Sequence, residues 1–212
     1  MAVNDLSFPL LPPPPALGAP LPGAERHPDF LRLLAERRST PALTLRAPGP
    51  DAQTLSAILR IAARVPDHGK LSPWRFVAMG PVAKARIAGQ LGPFCADCGL
   101  EPAKAEAALA KFQVPPCSVA VVFRPVIPHK IPVWEQELST GAVCFNMLLA
   151  AYACGFGGNW LTEWFSYDAR ARAAFGLTDH ERLAGVIHLG TVSDRPPERE
   201  RPNLDDLVTI LD

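Results

Sequence analysis

Arg37-Arg38-Ser39 sets two guanidinium groups and a hydroxyl side by side at the end of a helical stretch. Planar guanidinium donors grip phosphate oxygens bidentately and a serine adds a further donor, so the triplet suits a phosphate. A basic pair at a helix C-terminus is also a solvated cap favoured by the helix dipole. RVPDHGKLSPWRF, residues 64–76, places Arg64, Asp67 and His68 around Pro66. The fixed proline sets where the polar side chains after it point, which suits a ligand wall, a metal site or a turn in which Asp67 caps its own backbone. A hydrolytic metal cluster would draw on Asp67, His68, His129 and Glu135, but the five histidines show no H-x-x-x-H or similar spacing. No metal is expected.

Cys95-Ala96-Asp97-Cys98 has the spacing of a redox pair or half a zinc site. There is no second C-x-x-C and no adjacent strand pattern, so neither role is assigned. Gly155-Phe156-Gly157-Gly158-Asn159-Trp160 superficially resembles a dinucleotide loop, but its sixth position is Trp160 and it follows a helix rather than opening one. It reads as a glycine-rich helix exit where backbone comes close to a neighbour, with Trp160 as a wall.

The elements that must position these residues follow from periodicity. Residues 1–28 hold eight prolines, including Pro12 to Pro15, and read as an extended, solvated arm. A helix from Pro28 puts Phe30, Leu31 and Leu34 on one face and stops before Pro41; a second, from about Asp51, repeats Leu55, Ile58, Leu59 and Ala62. Arg75–Met79 reads as a strand, followed by helices over Pro81–Leu91 and Glu101–Phe112. Ser118–Phe123 and Leu183–Leu189 read as strands buried on both faces. No charged residue occurs from Leu138 to Thr162. Ser139, Thr140, Asn146 and the glycines speak against a membrane span there and favour a helix buried in a core or a dimer interface. Asp168 can cap a short helix ending at Gly176, and the tail from Arg195 suits docking on another subunit. Two helices between the first two strands exclude strict βαβ alternation, so the class is α+β.

With 212 residues the chain can bury one full core, and 21 basic against 21 acidic residues give no electrostatic case for nucleic acid or an anionic membrane. The odd number of cysteines, five, and the lack of a basic-then-apolar leader fit a reducing cytoplasm.

The series Arg-Arg-Ser, RVPDHGKLSPWRF, WEQELSTGAVCFNMLLAAYACGFGGNW (134–160) and HLGT (188–191) resembles the nitroreductase family, and within it the compact YdjA-like branch of NAD(P)H nitroreductases. The resemblance runs from about residue 29 to the C-terminus. It implies a nitroreductase-like α+β fold, a central mixed sheet flanked by helices, the domain 29–212 being completed by homodimerisation and FMN lying between subunits. Arg37, Arg38 and Ser39 match the family's FMN anchor, Arg64 and His68 match further flavin contacts, and Trp160, Leu161 and Thr162 fall on a third flavin-contacting segment. Ala150, Ala151, Tyr152, Ala153, Cys154 and Gly155 fall where the nicotinamide cofactor meets the branch. Leu161 and Glu163-Trp164 depart from the residues usual in relatives. The implied activity is hydride transfer from NADH or NADPH through FMN to an electron-poor nitroaromatic or quinone-like acceptor, with no side chain as nucleophile or base. A non-catalytic flavin-binding protein on the same fold is the other reading.

Overall fold

The computed structural model describes residues 14–211. Of the expected arm, residues 1–13 lie outside the described part; residues 14–27 are exposed and form no helix or strand. α1 (Pro28–Glu36) begins with proline in its first turn, β1 (Leu45–Arg46) follows, and α2 (Ala52–Ala62) starts at Asp51, whose carboxylate accepts from Thr54 N at 2.7 Å. Next come β2 (Trp74–Met79), α3 (Pro81–Leu91), α4 (Pro102–Gln113), β3 (Cys117–Phe123) and α5 (Val133–Ala153). β4 (Gly157–Leu161) and β5 (Arg182–Val192) complete the sheet.

The sheet order is β1-β5-β3-β2, with β4 also on β5. Every pairing is antiparallel, which corrects the expectation of a mixed sheet within one chain. The reason lies in the connections: α3 and α4 reverse the chain twice between β2 and β3, so the strands return opposed. All seven residues of β3 are buried because helices cover both faces. α3, α4 and the 164–175 segment pack Ile87, Leu91, Phe112, Phe165 and Phe175 on one face. α2 and α5 pack Ile58, Ala62, Val143, Met147 and Leu148 on the other. Each of the larger of these side chains contributes roughly 1.5–3 kcal/mol relative to exposure, Ala62 less.

The uncharged Leu138–Thr162 stretch is thus mostly α5 laid against the sheet. Among the described residues no helix is long and apolar enough to cross a membrane. The helix expected after Asp168 is instead two short 3-10 turns, Ala169–Ala171 and Ala173–Phe175. The expected punctuation remains: Asp168 caps Arg170 N, and Gly176 closes the segment at φ 65°. β1 and β4 went unseen in the sequence, since two residues and a glycine-rich exit carry no strand pattern. Cys95 and Cys98 are free thiols, with Cys98 Sγ 3.7 Å from the Cys95 carbonyl.

His188 sits fully buried on β5, its Nδ1 2.8 Å from Ser118 Oγ and its Nε2 without a partner among the described residues. Burial, with the nearby Lys84 ammonium adding repulsion, lowers its pKa to about 3. Below the ordinary histidine value of ~6.5 the unfolded chain binds this proton and the folded one does not. Stability present above that pH is therefore lost as pH falls towards 3. Stability against thermal unfolding is expected to fall by roughly 1 kcal/mol per pH unit below about pH 6. A scan from pH 7.5 to 4.5 checks this against His188→Asn, in which the slope should flatten.

Candidate functional site

α1 ends where Arg37 turns extended, at ψ 138°. The loop that follows is clipped to β4 and to the end of α5. Thr40 N donates to the Gly158 carbonyl at 3.0 Å, and Asn159 Nδ2 donates to the Thr40 carbonyl at 2.9 Å. The Tyr152 hydroxyl donates to the Gly158 carbonyl at 3.0 Å and also reaches the Arg38 carbonyl. This approach requires glycine: a Cβ on Gly157 would lie 2.5 Å from Val192 Cγ2 and 2.8 Å from Thr40 Oγ1.

The guanidinium of Arg37 lies over Tyr152 and Phe145, at 5.8 and 5.9 Å, and its Nη2 donates to Ser39 Oγ at 3.3 Å. Its Nε is buried without a partner, and Arg38 donates only to the Pro197 carbonyl, at 3.0 Å. Neither arginine is paired with a carboxylate among the described residues. A guanidinium with an unmatched donor fixed beside a serine hydroxyl, next in sequence to a second arginine, fits a phosphate.

Arg64 and His68 stand elsewhere. Their loop is held by its own Asp67, whose carboxylate accepts from Leu71 N and Ser72 N at 3.2 and 2.8 Å. Gly69 is at φ 74°, and a Cβ there would meet Ile131 Cδ1 at 2.4 Å. α5 anchors the loop through Ser139 Oγ to the Pro66 carbonyl at 2.6 Å, and the end of α2 before it through Asn146 Nδ2 to the Ile61 carbonyl at 2.6 Å. His68 is exposed and its Nδ1 lies 2.6 Å from Glu135 Oε2, in the first turn of α5. His129 instead accepts from Ile131 N at 3.1 Å, so the four residues of the hydrolase reading do not assemble. Among the described residues no three His, Cys, Asp or Glu side chains stand where they would hold a metal. Arg75 fastens the end of this stretch to Glu181 at 2.6 and 2.8 Å, and its guanidinium lowers the pKa of that carboxyl to about 2.

Within one chain the two groups of expected site residues therefore stand apart. Arg37 lies beside residues 145 and 152 of α5 and His68 beside residue 135, a separation of roughly 15 to 25 Å along the helix axis.

Trp160 donates its indole N–H to the Ala184 carbonyl at 3.1 Å. That carbonyl is available because the β3–β5 register slips between Val121 and Val122 and skips Ala184. Gly185 opposite is indispensable, since its Cβ would fall 2.1 Å from Trp160 Nε1. An isolated glycine inside an apolar strand signals such a bulge or close approach, and it was the available clue in LAGVIHL. Trp160 then lines a cleft of about 260 Å3 with Phe123, Gly141, Tyr167 and Ala184. Thr162 opens on the other side, onto a wider depression with Asp97, Cys98 and Asp168, and Leu161 is half-buried between them. Glu163 bonds Lys111 at 3.0 Å and Trp164 is buried, donating to the Ala105 carbonyl at 3.3 Å. Packing of the 164–175 segment thus accounts for this unusual pair.

Ala150 and Ala151 are enclosed in the core, so their side chains meet no ligand; this narrows the expected nicotinamide segment to Tyr152, Ala153, Cys154 and Gly155. The turn there is set by Gly155 at φ 81°, with Phe156 N bonded to the Ala151 carbonyl at 2.9 Å and Gly155 N to that of Tyr152 at 3.0 Å.

The model described as "Nitroreductase family" matches residues 34–191. YdjA of Escherichia coli (strain K12), named as an NAD(P)H nitroreductase, is 35% identical over 164 residues, 77% of this chain and 88% of that protein. The crystal structure of a nitroreductase-like family protein from Bacillus cereus superposes with a TM-score of 0.75 at 20% identity, covering 89% of this chain and 99% of that one. A nitroreductase from Bacteroides fragilis NCTC 9343, with FMN bound, gives 0.70 at 20% identity, covering 88% and 100%.

Proposed function

Since this chain belongs to the nitroreductase family, we propose that it is an FMN-dependent oxidoreductase that takes electrons from NADH or NADPH and passes them to a small electron-poor acceptor, a quinone or a nitroaromatic. The observation that carries the reading is the clip that brings Arg37-Arg38-Ser39, the end of α5 and the Trp160 strand together around unmatched guanidinium donors. FMN, held by these residues, would supply the two-electron redox chemistry that links the nicotinamide to the second substrate.

The chain's own residues bind and orient. Arg37, Arg38 and Ser39 hold the phosphate, Trp160 offers a flat wall to a planar ring, and the exposed turn around Cys154 and Gly155 faces the nicotinamide cofactor. For each NAD(P)H oxidised a quinone gains two electrons and two protons, one proton coming from solvent. No nucleophile is required.

A homodimer supplies what one chain separates. Trp134, Leu138 and Phe145 form an exposed apolar stripe on α5, while Phe30 and Leu31 of α1 and Leu207, Ile210 and Leu211 of the tail are likewise uncovered. An antiparallel second copy would bring the Arg64 and His68 end of one α5 to the Arg37 end of the other. Free thiols throughout the described residues agree with the cytoplasm as the working compartment.

The test is anaerobic reduction of the purified protein. A yellow protein whose flavin absorbance bleaches with NADH or NADPH and returns on adding 1,4-naphthoquinone supports the proposal. Colour that neither nicotinamide removes would make it a flavin carrier instead.

A further inference from the structure

The flavin chemistry leaves the Cys95-Ala96-Asp97-Cys98 motif unused, yet the fold gives its two free thiols different surroundings. Cys95 is buried, 6% exposed, in the core shared by α3, α4 and the 164–175 segment. Cys98 is half-buried and lines the depression of about 550 Å3 beside Thr162, Glu163 and Tyr167. That opening is wide enough to admit a small-molecule disulfide. Its carboxylates are already matched, Asp97 and Asp168 by Arg170 and Glu163 by Lys111.

The turn joining the thiols is fixed from several sides. A 3-10 turn over Gly92–Phe94 leads in, with Cys95 N donating to the Gly92 carbonyl at 3.1 Å and Asp97 N to the Phe94 carbonyl at 3.2 Å. Asp97, between the two cysteines, accepts twice from Arg170 Nη1, at 2.8 and 2.9 Å, and the Arg170 guanidinium lies 4.6 Å over the Phe94 ring. Cys98 Sγ folds back to 3.7 Å from the Cys95 carbonyl. Residues three apart across such a turn have Cα atoms within about 7 Å, the range a disulfide spans. Burial raises the pKa of the Cys95 thiol, which makes it the poorer nucleophile towards a reagent from solvent.

We propose that Cys95 and Cys98 are a reversible dithiol site for small-molecule disulfides, with Cys98 the attacking thiol and Cys95 the resolving one. Cys98 loses its proton to solvent and attacks one sulfur of glutathione disulfide, forming a mixed disulfide and expelling one glutathione thiolate. Cys95 then gives up its proton and attacks Cys98 Sγ, forming the Cys95–Cys98 bond and expelling the second glutathione. The two protein thiols lose two electrons and two protons, and the reagent gains both to give two molecules of glutathione. The chemistry needs no flavin. A transient pair of this kind suits a reducing compartment, where persistent disulfides do not accumulate.

The test incubates the purified full chain with glutathione disulfide, blocks remaining thiols with iodoacetamide and maps the peptides by mass. The wild-type peptide holding Cys95 and Cys98 is expected to be lighter by two hydrogen atoms, to carry no glutathione and to return to the dithiol with dithiothreitol. Cys95→Ala should instead leave glutathione on Cys98. In Cys98→Ala the remaining Cys95 should react about tenfold more slowly than Cys98 does in Cys95→Ala. Wild-type protein that keeps glutathione on Cys98, or that leaves both thiols reduced, overturns the site, and that mapping needs no variant to fold. Equal rates at the two thiols in the single variants would overturn the assignment of attacking and resolving roles.

Discussion

Replacing Arg37 and Arg38 together by alanine is expected to give a folded protein that purifies without FMN. Each charge-assisted bond to a phosphate is worth roughly 1.5–3 kcal/mol, so two lost guanidinium groups weaken binding about a hundred- to ten-thousand-fold. Folding should survive because neither arginine neutralises a carboxylate and Arg38 gives up only one bond, to the Pro197 carbonyl. Arg37→Ala also leaves no buried charge behind, since the orphaned Nε leaves with it. The measurements are the flavin absorbance of the purified protein and titration of the apoprotein with FMN. Retention of FMN at wild-type stoichiometry in the double variant would refute the anchor.

Gly185→Ala is expected to disturb the expected flavin-contacting strand through Trp160. The added methyl would stand 2.1 Å from the indole nitrogen, which the Ala184 carbonyl holds in place. Leu161's carbonyl closes the other side at 3.2 Å, so the strand cannot yield to relieve the clash and the indole must swing out. Overpacking of this kind costs roughly 1–3 kcal/mol, a fall of several degrees in Tm for a chain of this size. Loss of the flat wall should lower FMN content and raise KM for 1,4-naphthoquinone. Gly185→Ala/Trp160→Ala, which removes the obstructed ring, should recover only part of the Tm, because Gly185 lies at φ 155° and any side chain there is strained. Unchanged Tm and unchanged KM in Gly185→Ala would show that Trp160 is not held as described.

Local signals in this chain were legible wherever a residue's role depends on its neighbours in sequence. The run SVAVVF announced a strand covered on both faces because β-branched apolar residues without alternation fit no half-solvated strand. Asp51 announced α2, and Asp168 and Gly176 marked the ends of their segment even though the backbone between them tightened into 3-10 turns. Arg37-Arg38-Ser39 and RVPDHGKLSPWRF were visible as polar groups on a helix end and a rigid turn. The motif series that links them resembled one family, and the match over residues 34–191 places the chain there.

Distances across the sequence were not legible. That Tyr152 ties the Arg38 carbonyl to Gly158 depends on α5 ending beside α1, and no spacing along the chain encodes it. Gly185 could be seen as an odd residue within a strand, but only the skipped register at Val121 and Val122 turns it into the seat of Trp160. Glu137 and Arg182, 45 positions apart, become a pair only because α5 lies over the start of β5. By itself the sequence determined most of the elements, through local propensity, and the family, through the series of motifs that resembles it, together with the basic character of the expected phosphate anchor. The tertiary structure alone decided that Arg37 and His68 lie at opposite ends of one helix, and that Glu137 meets Arg182, because side-chain meetings follow from packing in three dimensions.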